Sequence, residues 1–150
     1  MLLAKDIMTA APVTVTPETG IAEAARIMIQ RKFNGLPVVD GKGTLVGVIC
    51  QSDLIAQHKK LNLPTLFTVL DGFIPLRSMS DLDEEMRKIS ATNAGQAMTP
   101  DPVTVTPETP IDEVASLMVD SKYHTLPVVD AGKLVGVIGK EDVLRTLAGA

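Results

Sequence analysis

The stretch PVTVTPET at residues 12–19 recurs, residue for residue, at 102–109. Working outward at the same spacing of 90, Met8 pairs with Met98, Ile21 with Ile111, Glu23 with Glu113, Met28 with Met118, and LPVVD at 36–40 with LPVVD at 126–130. One residue is then lost from the second copy. After that LVGVI at 45–49 matches LVGVI at 134–138, and Asp53 matches Asp142. The chain is a tandem repeat, and its fold is the fold of one unit stated twice.

Each copy places the same signals in the same order. VTVT is short and β-branched, as a strand should be, and Pro17 closes it. Apolar residues then recur at Ile21, Ala24, Ala25 and Met28, and again at Ile111, Val114, Ala115 and Met118, which predicts a helix with one buried face. Thr19 and Thr109 are its expected N-caps, with Pro110 as a first helical residue. LPVV and LVGVI are apolar runs of strand length joined by DGKGT in one copy and DAGK in the other, so each pair reads as a hairpin. SDLIAQHKK and EDVLRTLAG follow as short helices whose acidic openings suit a helix N-terminus. The fold class is therefore α/β (α+β): two β-α-β-β-α units, each with a small mixed sheet. A unit of about 50 residues buries too little surface alone, so the two are expected to pack around a pseudo-twofold axis.

Three segments follow from the repeat: a first unit at 1–60, an unrepeated insert at 61–96 and a second unit at 97–150. The insert contains LPTLFTVLDGFIPL, too apolar for a solvated linker. Ser80 with Asp81, Asp83, Glu84 and Glu85 marks a helix start, and Leu82, Met86 and Ile89 give that helix a stripe. The insert either packs on its own unit or offers Leu66, Phe67, Phe73 and Ile74 to a dimer contact.

Composition removes several classes. At 150 residues and 45% hydrophobic the chain can bury a substantial core. A formal charge of −4 with three Phe, one Tyr and no Trp offers neither a basic field nor stacking platforms for nucleic acid. No segment reaches the roughly 20 apolar residues of a membrane span, and MLLAKDIM is not a signal peptide. The single cysteine, Cys50, permits no internal disulfide, and the expected setting is cytoplasmic.

MTAAPVTV, the amphipathic helix, LPVVD, LVGVI and SDLI, in that order and then again in the second copy, resemble a cystathionine beta-synthase (CBS) domain. Together the copies resemble a tandem CBS pair, or Bateman module, of the stand-alone bacterial and archaeal kind, over about 7–60 and 97–148. The resemblance implies a disc-like homodimer of pairs. It also implies an adenosyl ligand, an adenine nucleotide or S-adenosylmethionine, in clefts between the copies.

Asp53 and Asp142 stand just inside a helix that follows a strand, where a carboxylate can accept from two vicinal ribose hydroxyls. The resemblance implies that ribose role, while capping of the helix explains an aspartate there with no ligand at all. It also sorts the residues into two clefts. Asp53, Cys50 and Ser52 would face Thr99, Val103, Tyr123 and His124; Asp142 and Gly139 would face Thr9, Val13, Phe33 and Asn34. Backbone near Val13 and Val103 resembles a segment that meets adenine edges, and Asn34 and His124 resemble a position that can meet phosphate. The family has Ser or Thr three residues before the aspartate, whereas Cys50 and Gly139 stand here, and Glu141 adds negative charge beside Asp142. Those departures weigh against a polyphosphate more than against a neutral or cationic adenosyl compound.

Remaining chemistry-bearing residues read as structural. His58 beside Lys59 and Lys60 belongs to a solvated face, the seven methionines fill stripes and strand entries, and no glycine-rich phosphate cradle or catalytic triad occurs. The expected function is a regulatory ligand-binding module, not an enzyme, needing no cofactor or metal and signalling to an effector protein. The alternative is a structural or dimerisation module with vestigial clefts.

Overall fold

A computed structural model describes residues 1–61, 92–121 and 123–149. The first copy comprises α1 (Ala4–Ile7), β1 (Thr9–Ala10), α2 (Ile21–Arg31), β2 (Gly35–Val39), β3 (Leu45–Cys50) and α3 (Gln51–Leu61). The second comprises α4 (Ala94–Ala97), β4 (Thr99–Pro100), α5 (Ile111–Asp120), β5 (Thr125–Asp130), β6 (Lys133–Gly139) and α6 (Lys140–Ala148). The helix expected after Ser80, the Leu66, Phe67, Phe73 and Ile74 contact, and the side chain of His58 lie outside the described residues.

The two hairpins form as the apolar runs predict: β2 pairs with β3 and β5 with β6, both antiparallel with a register shift before the last apolar residue of LPVV. In the first turn Asp40 Oδ1 accepts from Lys42 N and Thr44 N, both at 2.9 Å. Those two backbone donors, Thr44 foremost, hold the Asp40 carboxyl below its usual range. The shorter second turn places both Ala131 and Gly132 in the left-handed region, at φ 51° and 82°.

Each sheet is completed by the other copy. β4 adds to β3, with Val48 opposite Thr99, and β1 adds to β6, with Val137 opposite Thr9. The orders are β2-β3-β4 and β1-β6-β5. A strand can cross here because Gly47 and Gly136 carry no side chain. A Cβ on Gly47 would stand 2.5 Å from Met98 Sδ and 2.9 Å from the Thr99 carbonyl oxygen, and one on Gly136 would stand 2.5 Å from Met8 Sδ.

The helices before these strands are exchanged too. Asn93 and Gln96 cap α4 reciprocally at 3.0 Å, and the Ala94 N–H donates to the Thr19 carbonyl at 2.7 Å. The Ala4 N–H donates to the Thr109 carbonyl at 2.8 Å in the mirrored contact. One core thus joins Ile21, Ala24, Met28, Leu36, Val38 and Ile49 to Ala94 and Ala97. The other joins Val105, Val114, Leu126, Val128 and Ile138 to Ala4.

Two expectations need correction. VTVT is not a strand: only Val15 and Val105 touch the sheets, each by one parallel bridge, to Val38 and Val128. The cause is the proline of LPVV. Val15 N donates to the Pro37 carbonyl at 3.0 Å and Val39 N to the Val15 carbonyl at 2.9 Å, but the next rung needs an N–H that Pro37 lacks. Pro127 stops the second ladder in the same way. The sheets are still mixed in direction, through these bridges.

The helix caps also shift by one residue, to Gly20 and Pro110. The Thr19 and Thr109 hydroxyls instead accept from the N–H groups of Thr16 and Thr106, at 3.1 and 3.0 Å, closing the turn before each helix.

Candidate functional site

The copies meet where Gly35 of β2 approaches Thr125 of β5, a Cβ on Gly35 falling 3.1 Å from Thr125 Oγ1. On either side of that contact a cleft opens between the halves. Asp53, Cys50, Ser52, Thr99, Val103, Tyr123 and His124 line one cavity of about 200 Å³. Asp142, Gly139, Thr9, Val13, Phe33 and Asn34 line the other, of about 530 Å³. The two sets expected from sequence are therefore brought together as sorted.

Both aspartates occupy the third position of their helix and turn back on its start. Asp53 Oδ2 accepts from Cys50 N, and Asp142 Oδ2 from Gly139 N, each at 2.7 Å. One oxygen of each acid therefore caps its helix. The other faces the cleft: Asp53 Oδ1 accepts from the Thr99 hydroxyl at 3.4 Å, across the boundary between copies, and Asp142 Oδ1 pairs with Arg145 Nη2. Capping and cleft-facing acceptance coexist in one side chain, because a carboxylate offers about four lone-pair sites.

Opposite each acid lies unpaired backbone. The ladder that Pro37 interrupts would have engaged the Val13 carbonyl, and Pro127 leaves Val103 in the same condition. Among the described residues neither valine makes a backbone hydrogen bond, so each presents a donor and an acceptor beside its cavity.

The clefts are unequal. Arg31, Lys32 and Arg145 line the larger one, where the first and last have Ser121 and Ala56 as counterparts. Glu141 crosses it, its two carboxylate oxygens accepting from Asn34 Nδ2 at 3.2 and 3.0 Å. Gly35 lines only the larger cavity, whereas its counterpart Thr125 lines both. Burial, aided by the Asp53 charge, pushes the Cys50 thiol up to about 11 and keeps it neutral. Sequence reasoning did not single out Arg31, Lys32, Gly35, Thr125 or Arg145. For Arg145 a signal existed in its spacing of three from Asp142 on one helix.

The family model for the CBS domain matches residues 4–59 and again 94–149. The chain is a tandem pair of CBS domains. Among relatives of this CBS pair, a chloroplastic CBS domain-containing protein of Arabidopsis thaliana, CBSX2, is 34% identical over 87% of this chain. The chain spans 56% of that relative's length. A crystal structure of CBSX2 in complex with AMP superposes with a TM-score of 0.73, at 30% identity over 99% of this chain and 98% of that one. The CBS domain pair of protein MJ0100, in complex with 5′-methylthioadenosine and S-adenosyl-L-methionine, gives 0.74, at 29% identity over 99% and 98%. Among the described residues no helix is long and apolar enough to cross a membrane, and no cluster of three metal-ligating side chains occurs.

Proposed function

We propose that this CBS pair is a regulatory module that binds an adenosyl compound between its halves and signals through ligand-dependent packing. The observation that carries this reading is the pairing, in both clefts, of a cleft-facing aspartate oxygen from one copy with free Val13 or Val103 backbone from the other. A ribose diol suits the acid and a purine edge suits the backbone. The adenosyl ligands in the CBSX2 and MJ0100 structures support the same assignment. Because each cleft is built by both copies, a ligand that favours one spacing of the halves shifts their equilibrium in proportion to its differential affinity.

No chemistry is assigned to the module itself, because the aspartates and the free valine backbone come in symmetric pairs, whereas an active site seldom needs two of each group. Signalling then passes to an effector protein. A homodimer is part of the reading. Ile29 and Val119 are each 76% exposed, and Ile55 and Leu144 are 69% and 57% exposed, so both copies present equivalent apolar helix positions. A reducing, cytoplasmic setting suits the free Cys50.

Calorimetric titration of nucleotide-free protein with AMP, ATP and S-adenosylmethionine tests the ligand reading. Saturable heat from at least one, reduced by Asp53→Ala or Asp142→Ala, is expected; heat from none overturns it. The reading of a structural module with vestigial clefts has one observation in its favour: Asp142 and Asn34 already hold protein partners. Unchanged melting of both alanine variants with and without nucleotide would favour it.

A further inference from the structure

Among the differences between the two clefts of the CBS pair is one pair of facing positions. In the larger, Asn34 and Glu141 are bonded across the gap between copies. In the smaller, the same positions are His124 and Ser52, and among the described residues no hydrogen bond joins them. We propose that Glu141 acts as a built-in anion that occupies the Asn34 donor, so that the larger cleft takes nucleosides lacking a phosphate in preference to nucleotides. The inference rests on the adenosyl reading above.

Three considerations carry it. A carboxylate and a phosphate seek the same donor, and Asn34 Nδ2 is already held by both Glu141 oxygens, so a ligand anion must displace one charge to gain the contact. Displacement does not remove the repulsion. Glu141 lines the same cavity as Asn34, so a phosphate that took the Asn34 donor would lie beside the Glu141 carboxylate. The cations nearby do not decide the matter: Arg145 is engaged by Asp142, and Arg31 and Lys32 are exposed as Glu141 is, so solvent screens all three alike and the occupied Asn34 donor sets the preference. A neutral or cationic group beside the nucleoside leaves the Asn34–Glu141 bond intact. The smaller cleft has a hydroxyl and an imidazole at these positions and carries no such bar.

Adenosine and AMP differ only in the phosphate, so the ratio of their affinities is the readout. Calorimetry in an Asp53→Ala background, where only the larger cleft keeps its aspartate, should show tighter binding of adenosine than of AMP. Glu141→Ser and the more conservative Glu141→Gln should each improve AMP binding about tenfold while leaving adenosine within about threefold. Ser52→Glu, in an Asp142→Ala background, should weaken AMP at the smaller cleft by a similar factor. Adenosine binding with an AMP-to-adenosine ratio unmoved by Glu141→Ser and Glu141→Gln overturns this inference alone. Binding of neither adenosine nor AMP to wild-type or variant protein with an intact circular dichroism spectrum overturns this inference, and silence from ATP and S-adenosylmethionine as well overturns the adenosyl reading with it.

Discussion

Cys50 illustrates how a residue beside a candidate site can be chemically quiet. Its thiol sits near 11 because burial disfavours the thiolate and the Asp53 charge adds to that effect. Relative to an ordinary thiol at 9.0, the thiolate population at neutral pH falls about a hundredfold. Alkylation by iodoacetamide at pH 7.5 should therefore be slower than for free cysteine by about that factor, and labelling at the free rate would contradict the burial. The stability linkage has a definite sign. The folded protein holds this proton more tightly than the unfolded chain, so stability from this group is full below pH 9 and declines as pH rises towards 11. Cys50→Ser should flatten that decline in a pH series of thermal melts. Ala131 is a second residue whose cost is local. At φ 51° in a two-residue turn it occupies a conformation that Asn adopts more readily. Ala131→Asn should stabilise by about 0.5–1 kcal/mol, read as a higher Tm.

Among elements, the two exchanged strands depend on a glycine more than on their own sequence. β1 and β4 are only two residues long, and each lies over a glycine in the middle of an apolar strand. Gly47→Ala places a methyl group 2.9 Å from the Thr99 carbonyl as well as against Met98. Gly136→Ala meets the flexible Met8 side chain first, with the Thr9 carbonyl at 3.1 Å. Both should destabilise, by about 1–3 kcal/mol, with Gly47→Ala the worse because backbone must move as well as side chain. Equal denaturation midpoints would contradict that order. The long helices and hairpins were legible in the sequence, since Ile21, Ala24 and Met28 or LPVV against LVGVI carry their own periodicity. The exchange was not legible, because two residues such as Thr9 and Ala10 hold no period. The only hint was a glycine inside each LVGVI. VTVT misled in the opposite direction: its β-branched residues promise a strand, and the veto lies some 20 residues downstream in Pro37.

At the scale of the whole molecule, the resemblance to a CBS pair, applied to the doubled aspartates, disclosed which residues share a cleft, whereas the repeat alone says only that each aspartate has an equivalent. The inequality of the clefts was less visible. Arg31 against Ser121 and Gly35 against Thr125 matter only once the copies meet, and no pattern within one copy marks them. The same mutual construction governs stability. Ala4 is fully buried in the second core and Ala94 in the first, so neither copy owns all of its interior. A fragment of residues 1–61 carries β1 and α1, which belong to the other half, and lacks β4 and α4, which complete its own sheet and core. As a monomer it would expose the edge of β3 and the groove that Ala94 and Ala97 fill, too much for a unit of this size to sustain. The repeat supplies a remedy, since α1 and β1 resemble α4 and β4 and could seat in a second copy of the same fragment. Sedimentation and circular dichroism of fragment 1–61 should therefore show either an unfolded monomer or a folded dimer, and mixing it with fragment 92–150 should restore a folded 1:1 complex. A folded monomer of the isolated fragment would refute the claim that the halves are built from each other.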